Sequence, residues 1–391
     1  MKRVRPWIIF AVCYLSYCSI YIARVNLSVA SPELISLGAL TSAQFGLLGS
    51  VFSIVYACGR LISGRLSDRY PPYVMICAGL AAAGISNLVF GFLPPFPALL
   101  VLWGCNAFAQ SMLWGSVLRI VTAIYPPEIV RQYTSLMVTT VSTGTIVGFL
   151  LDAQCVTRIG LPFAFFLPGL FCLFCCLLTA LFTGKIHPTA SGHSEKAPSL
   201  RGQFTGNDYR SKFLPAFLHG IMKDNISLWL PAFFVFRYRI DLQQISLFVI
   251  IVPAVGLIGR LAYPAFFKLC GSRDEIVTRI GFVICALASV LLCTDIPSPI
   301  LTAAAFGLLY AAVSMINTSF LSIYPIRFAG KNLVATVSGI MDFLTYLGAA
   351  VGSAVYGALV EPLGYSVIFV SWAVVSVAGL ILVLFSDWKK G

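Results

Sequence analysis

Residues 161–182 read LPFAFFLPGLFCLFCCLLTALF, twenty-two positions without a single charged side chain. A helix that crosses a bilayer takes about 20 such residues, because the hydrocarbon core is about 30 Å thick and a helix rises about 1.5 Å per residue. The run does not alternate apolar with polar positions, so it does not read as a strand of a membrane barrel. Runs of the same kind recur on its N-terminal side near 7–31, 42–65, 72–92, 97–122 and 134–153. After a polar stretch come 212–235, 243–267, 277–294, 298–320, 333–356 and 365–386. The runs are rich in Gly, Ala, Ser and Cys, which lets helices pack closely in lipid. The predicted fold class is an all-α membrane protein of twelve transmembrane helices.

Composition agrees with this reading and excludes others. Of 391 residues, 59% are hydrophobic and 10% charged, where a soluble domain carries about a quarter of its residues charged. Soluble enzymes, nucleic-acid binders and disulfide-stapled modules are excluded on that ground. The net charge of +12 is a matter of topology. Basic residues collect at the N-terminus (Lys2, Arg3, Arg5), after even-numbered spans (Arg65, Arg69, Arg131, Lys185, Lys268, Arg273, Arg327, Lys331) and at Lys389 and Lys390. The positive-inside rule then places both termini in the cytoplasm of a multi-pass protein of the inner membrane. Lys2-Arg3 before an apolar run imitates a signal peptide, but that run carries Arg24 and is needed as the first span. The twelve cysteines are scattered. Cys172, Cys175 and Cys176 have no His or acidic neighbour at ligand spacing and read as small buried hydrophobes. No metal, cofactor, ATP-binding motif or enzyme chemistry is expected.

The polar stretch 183–211 reads as a cytoplasmic linker between halves 1–182 and 212–391. The halves repeat at an offset near 200: Gly59-Arg60-Leu61 returns as Gly259-Arg260-Leu261, Arg24 as Lys223, and Gly148 as Gly348. Such repeats mark transporters, with a substrate site between the halves near the midplane.

Charges inside the spans locate that site. They are Arg24, Arg60, Arg119, Lys223 and Arg260, with Asp152, Asp224 and Asp342. Each costs about 2.5–3.5 kcal/mol at a helix centre, so each should meet a partner or a water-filled cavity. Arg119 lies near a span end and is expected to snorkel. Arg60 and Arg260 suit a gate or the cavity wall equally. Arg24 and Lys223, related by the repeat, are expected to face one another and bind an anion, although Lys223 could instead pair with Asp224 or Asp342. Tyr17, Tyr21 and Arg24 share one helix face by their i, i+4, i+7 spacing. His219 lies one turn before Lys223, while Gln110, Trp114 and Asn317 fall on spans four and ten. The expected pocket is polar, lined from spans one, four, seven and ten, and suited to a small hydrogen-bonding anion.

Gly64-Arg65-Leu66-Ser67-Asp68-Arg69 after span two resembles the loop 2–3 motif of the major facilitator superfamily. The resemblance implies that Asp68 and Arg69 latch helix ends in the outward-open state. Tyr21-Ile-Ala-Arg24-Val-Asn26, Tyr56-Ala-Cys-Gly-Arg60, Ala109-Gln110-Ser-Met112-Leu-Trp114 and Tyr346-Leu347-Gly348 resemble the organophosphate:phosphate antiporters. By that resemblance Arg24 is the first phosphate-binding cation and Lys223 stands in the place of a second, an Arg in the family. Tyr17, Tyr21, Trp114 and Tyr346 line the pocket, and Arg60 replaces a cavity Lys. Three departures stand out: a Lys cannot form the planar fork of an Arg, Thr143 stands near the family's span-five His, and Asp342 is an additional acid. The neighbouring sugar-acid symporters have an acid before the first-span Arg, where this chain has Ala23. Exchange of an organic phosphate for phosphate is the first reading. Proton-coupled uptake of a small carboxylate or sugar acid, through Asp342 or Asp152, is the second, and a ligand sensor of the same fold is the third. The expected partners are a small anionic substrate and membrane lipid, with no nucleic acid, and the expected state is a monomer.

Overall fold

The computed structural model describes residues 5–184, 204–240, 242–294, 296–328, 330 and 333–384. Most of the predicted linker, Lys331 and the outermost basic residues at either end lie outside the described residues, as do the side chains of Arg65 and Asp68. Among the described residues every regular element is helical. The first seven are α1 (Pro6–Ser36), α2 (Ser42–Arg69), α3 (Pro72–Phe90), α4 (Phe96–Ser111), α5 (Leu113–Ile124), α6 (Pro127–Gln154) and α7 (Phe163–Thr183). They are followed by the short α8 (Gly206–Asp208), then α9 (Leu214–Tyr238), α10 (Leu242–Leu269), α11 (Asp274–Cys293) and α12 (Pro299–Thr318). The single turn α13 (Tyr324–Ile326), α14 (Val334–Leu363) and α15 (Ser366–Leu384) complete the chain. Proline opens α1, α3, α6 and α12, where its missing N–H is lost at no cost and its fixed φ suits the first helical turn.

Among the described residues eleven spans are long and apolar enough to cross a membrane. α9 is the twelfth, 25 residues long; His219, Lys223, Asp224 and Asn225 make it too polar to stand out by composition. The fourth span, expected as one helix, is interrupted at Met112 between α4 and α5. α1 and α6 are longer than expected, because a helix goes on satisfying its backbone beyond the apolar stretch that identifies it.

The chain divides into two compact units. One comprises Met1–Leu40, Ile54–His193 and Asp241–Ser246, the other Thr41–Ser53, Ser194–Ile240 and Leu247–Gly391. In the first, α1 packs on α6 and α7, and α3 on α4 and α7. Gly84 of α3 and Gly169 of α7 each meet the other's carbonyl, so the two backbones touch. In the second, α9 packs on α14 and α11 on α12 and α15. The repeated glycines do the same work twice: Gly59 lets α2 approach Phe108 and Ser111 of α4, and Gly259 lets α10 approach Ala311 of α12.

Candidate functional site

In the first unit, Arg24 is half-buried on α1. Its guanidinium carbon lies 5.9 Å from the Tyr21 ring centre and 5.2 Å from that of Tyr56 on α2, within the range of cation–π attraction. Tyr21 meets Tyr17 edge-on at 5.6 Å, and Tyr17 lies 5.0 Å from Trp114 of α5. The expected face of α1 therefore exists and joins the fourth span. Tyr14, one turn earlier, is bonded through its hydroxyl to Thr139 (2.8 Å) and Thr143 (3.0 Å) of α6.

Behind this face runs a ladder of buried amides. Asn26 Nδ2 donates to Asn87 Oδ1 of α3 at 2.7 Å and to the Ala164 carbonyl of α7 at 3.1 Å. Asn87 Nδ2 donates to Ala83 O at 2.9 Å and to Asn106 Oδ1 of α4 at 3.3 Å. Asn106 Nδ2 returns to the carbonyl of Ala23, the residue before Arg24, at 3.2 Å, and Gln110 Nε2 reaches Asn106 Oδ1 at 3.0 Å. Gln110, expected in the pocket wall, is 1% exposed and belongs to this ladder.

In the second unit, small residues bring α9 and α14 together. Gly220 meets the backbone of Thr345, and Gly348 meets that of Phe217. This contact sets Lys223 beside Tyr346, its Nζ 4.6 Å from the ring centre and 3.8 Å from Asp224 Oδ2. Asp342 is buried on α14, one turn before Tyr346. His219 is fully buried and joins Val313 O of α12 through Nε2 at 2.9 Å. Asn317 of α12 is half-buried, with Oδ1 lacking a hydrogen-bond partner among the described residues. Arg60 and Arg260 are half-buried and Arg69 is exposed at the end of α2.

These features sit in a chain whose residues 13–353 match the Major Facilitator Superfamily. The chain belongs to that superfamily. Over 98% of its length and 91% of the relative's, this facilitator is 24% identical to a protein named probable hexose phosphate transport protein from Chlamydia trachomatis. Over 32% of its length and 28% of the relative's, it is 38% identical to the membrane sensor protein UhpC of Escherichia coli. Its fold matches that of the nucleoside transporter NupG with a TM-score of 0.75 at 16% identity, over 97% and 98% of the two chains. By family it is a multi-pass membrane protein of the kind that its transporter relatives represent, and not an enzyme.

The structure also gives places to residues to which the sequence assigns no role at the site. Tyr56 completes the aromatic setting of Arg24, and the spacing of α1 alone carries no sign of a ring from α2. Lys212, Asp274, Glu275 and Arg327 form a network within the second unit. Lys212, 4% exposed, reaches Asp274 at 3.1 Å and Glu275 at 3.6 Å. Arg327 bonds both acids, at 2.6 Å to Glu275. In the sequence its charge counts only toward orientation. Arg119, expected to snorkel, has a buried Nη1 without a hydrogen-bond partner among the described residues.

Proposed function

We propose that the chain carries a small organic phosphate across the membrane by alternating access, in exchange for inorganic phosphate, with Arg24 and Lys223 as anion-binding cations. The observation that carries the reading is that the first long helix of each unit holds a half-buried basic residue over tyrosine rings: Arg24 at Tyr21 and Tyr56, Lys223 at Tyr346. A ring face holds a cation in place without consuming all of its N–H donors, as a site for a multi-oxygen anion requires. The end-to-end similarity to a hexose phosphate transport protein supports phosphate esters over carboxylates. Tyr17, Tyr21, Trp114 and Tyr346 are the proposed wall, and Asn317 a proposed acceptor for a substrate hydroxyl. His219 and Gln110, both buried in bonds to their own unit, are assigned to holding α9 and α4. Arg60, Asp68, Arg69, Arg260 and Asp342 are the proposed gating and cavity charges.

Liposomes loaded with phosphate and carrying the purified protein test this. Labelled hexose phosphate or glycerol phosphate should enter only when phosphate is inside. Uptake of a carboxylate without internal phosphate, and no uptake of phosphate esters, would overturn the reading. The local similarity to UhpC favours one other outcome, tight binding of a phosphate ester with no flux, which would identify a sensor.

A further inference from the structure

Asp152 is a buried charge-bearing group that the exchange reading does not use. Asp152 lies on α6, one turn before the π-helical segment Cys155–Ile159. It is 0% exposed, and neither carboxyl oxygen has a hydrogen-bond partner among the described residues. Its Oδ2 turns back toward Gly148, the point where α6 meets Ile22 and Val25 of α1. The side chain thus sits at the α1–α6 seam, inside the first unit.

Among the described residues no charged group is bonded to it. On its own helix and the π-turn, Cys155 is buried and Arg158 is exposed. From α1 come Tyr21 and Arg24, the guanidinium lying over the rings of Tyr21 and Tyr56, and Glu33 is exposed at the far end. The charged residue of α5 is Arg119, and α7 has none from Phe163 to Thr183. A carboxylate in such a place has given up its water and gained no partner, a far greater loss than a neutral acid suffers. The π-turn that follows is a point where a helix can shift its hydrogen-bond register, and such turns gather at functional sites.

We propose that Asp152 is a proton-binding site of the transport cycle, neutral while α1 and α6 close over it and ionised when that seam opens to water. The proposal rests on the transport reading for its consequence, a proton-linked exchange, and is independent of which phosphate ester is carried.

Infrared spectroscopy of the purified protein, with no substrate, should show the carbonyl stretch of a buried protonated carboxylic acid at neutral pH, absent in Asp152→Asn. Phosphate–phosphate exchange in liposomes is then compared between the two proteins from mildly acidic to mildly alkaline pH, so that the titration of phosphate itself cancels. Wild-type exchange should fall relative to Asp152→Asn as pH rises, by up to about tenfold per pH unit, the limit for one proton. The Asn variant, which mimics the neutral acid, should keep its acid-pH rate throughout. Asp152→Glu should retain both band and pH dependence, and it serves as the second variant should Asn not fold. Absence of the band, or superimposable pH profiles, would overturn the proposal. A protein that shows the band but exchanges no phosphate ester would sink the functional reading alone.

Discussion

The two units place the same kind of seam at the same place in the repeat and fasten it differently. In the first, α6 lies on α1 through Gly144 and Gly148, which meet Cys18, Tyr21, Ile22 and Val25. In the second, α14 lies on α9 through Gly348 and Gly352, which meet Phe217, Ile221 and Asn225. Asn26 and Asn225 follow Arg24 and Lys223 by the same two residues. Asn225 bonds across its own seam, donating to Ala349 O at 3.0 Å and accepting from Ser353 Oγ at 2.8 Å. Asn26 turns away from its seam to α3 and α7. The second seam is thus bolted at its asparagine, whereas the first is bonded three turns earlier, through Tyr14 to Thr139 and Thr143, and holds a buried acid beside its glycines. An internal repeat keeps the position of a polar residue without keeping its partner.

The cations give the largest expected contrast. Arg24→Ala should reduce phosphate counterflow by at least about 100-fold and Arg24→Lys by about tenfold, since a planar fork becomes a point charge. Lys223→Arg should stay within about threefold, because a lysine site never depended on a fork. Equal sensitivity at both positions would break the distinction.

Next come the seams themselves. A Cβ on Gly348 would run into the Phe217 carbonyl, which is backbone, while one on Gly148 would meet first the Val25 side chain and then, less closely, the Ile22 backbone. Gly348→Ala should cost about 1–3 kcal/mol, the usual penalty of overpacking, and Gly148→Ala less than about 1 kcal/mol. Thermal unfolding of the two variants in detergent reads the order, and a reversed order would contradict the bolted second seam.

The smallest effect concerns the bolt. Asn225→Ala should cost about 0.6–1.7 kcal/mol, the span measured for polar contacts between membrane helices. A double-mutant cycle with Ser353→Ala should return a coupling of about 0.6 kcal/mol, whereas Asn26 and Ala153, the corresponding first-unit pair, offer no such bond to remove.

How far residue order alone carries the reading differs between these features. Lipid demands long apolar runs, so the spans declare themselves; α9 does so less clearly because His219, Lys223 and Asp224 interrupt its apolar run. The face of Tyr17, Tyr21 and Arg24 follows from helical spacing, being local. Tyr56 and the ladder through Asn87 and Asn106 do not, because which helix meets α1 is decided by packing among helices that all look apolar. His219 reads as a pocket residue for the same reason: periodicity gives a face, and only the neighbour, here Val313 of α12, says what that face touches. Arg327 reads as a loop charge and Lys212 opens a predicted span, and it is the chain reversal before α11 that brings Asp274 and Glu275 to them.

The amide ladder bears on how the first unit can move. Asn26, Asn87, Asn106 and Gln110 tie α1, α3, α4 and α7 through five interhelical or side-chain bonds. A rotation or one-residue slide of α1 would break several at once in a setting that offers no water to replace them. Motion of these four helices is then cheapest as one block. The mid-helix peptide protons of α1 around Ala23 would exchange with deuterium only when the whole block opens, and so at the slow rate of global unfolding.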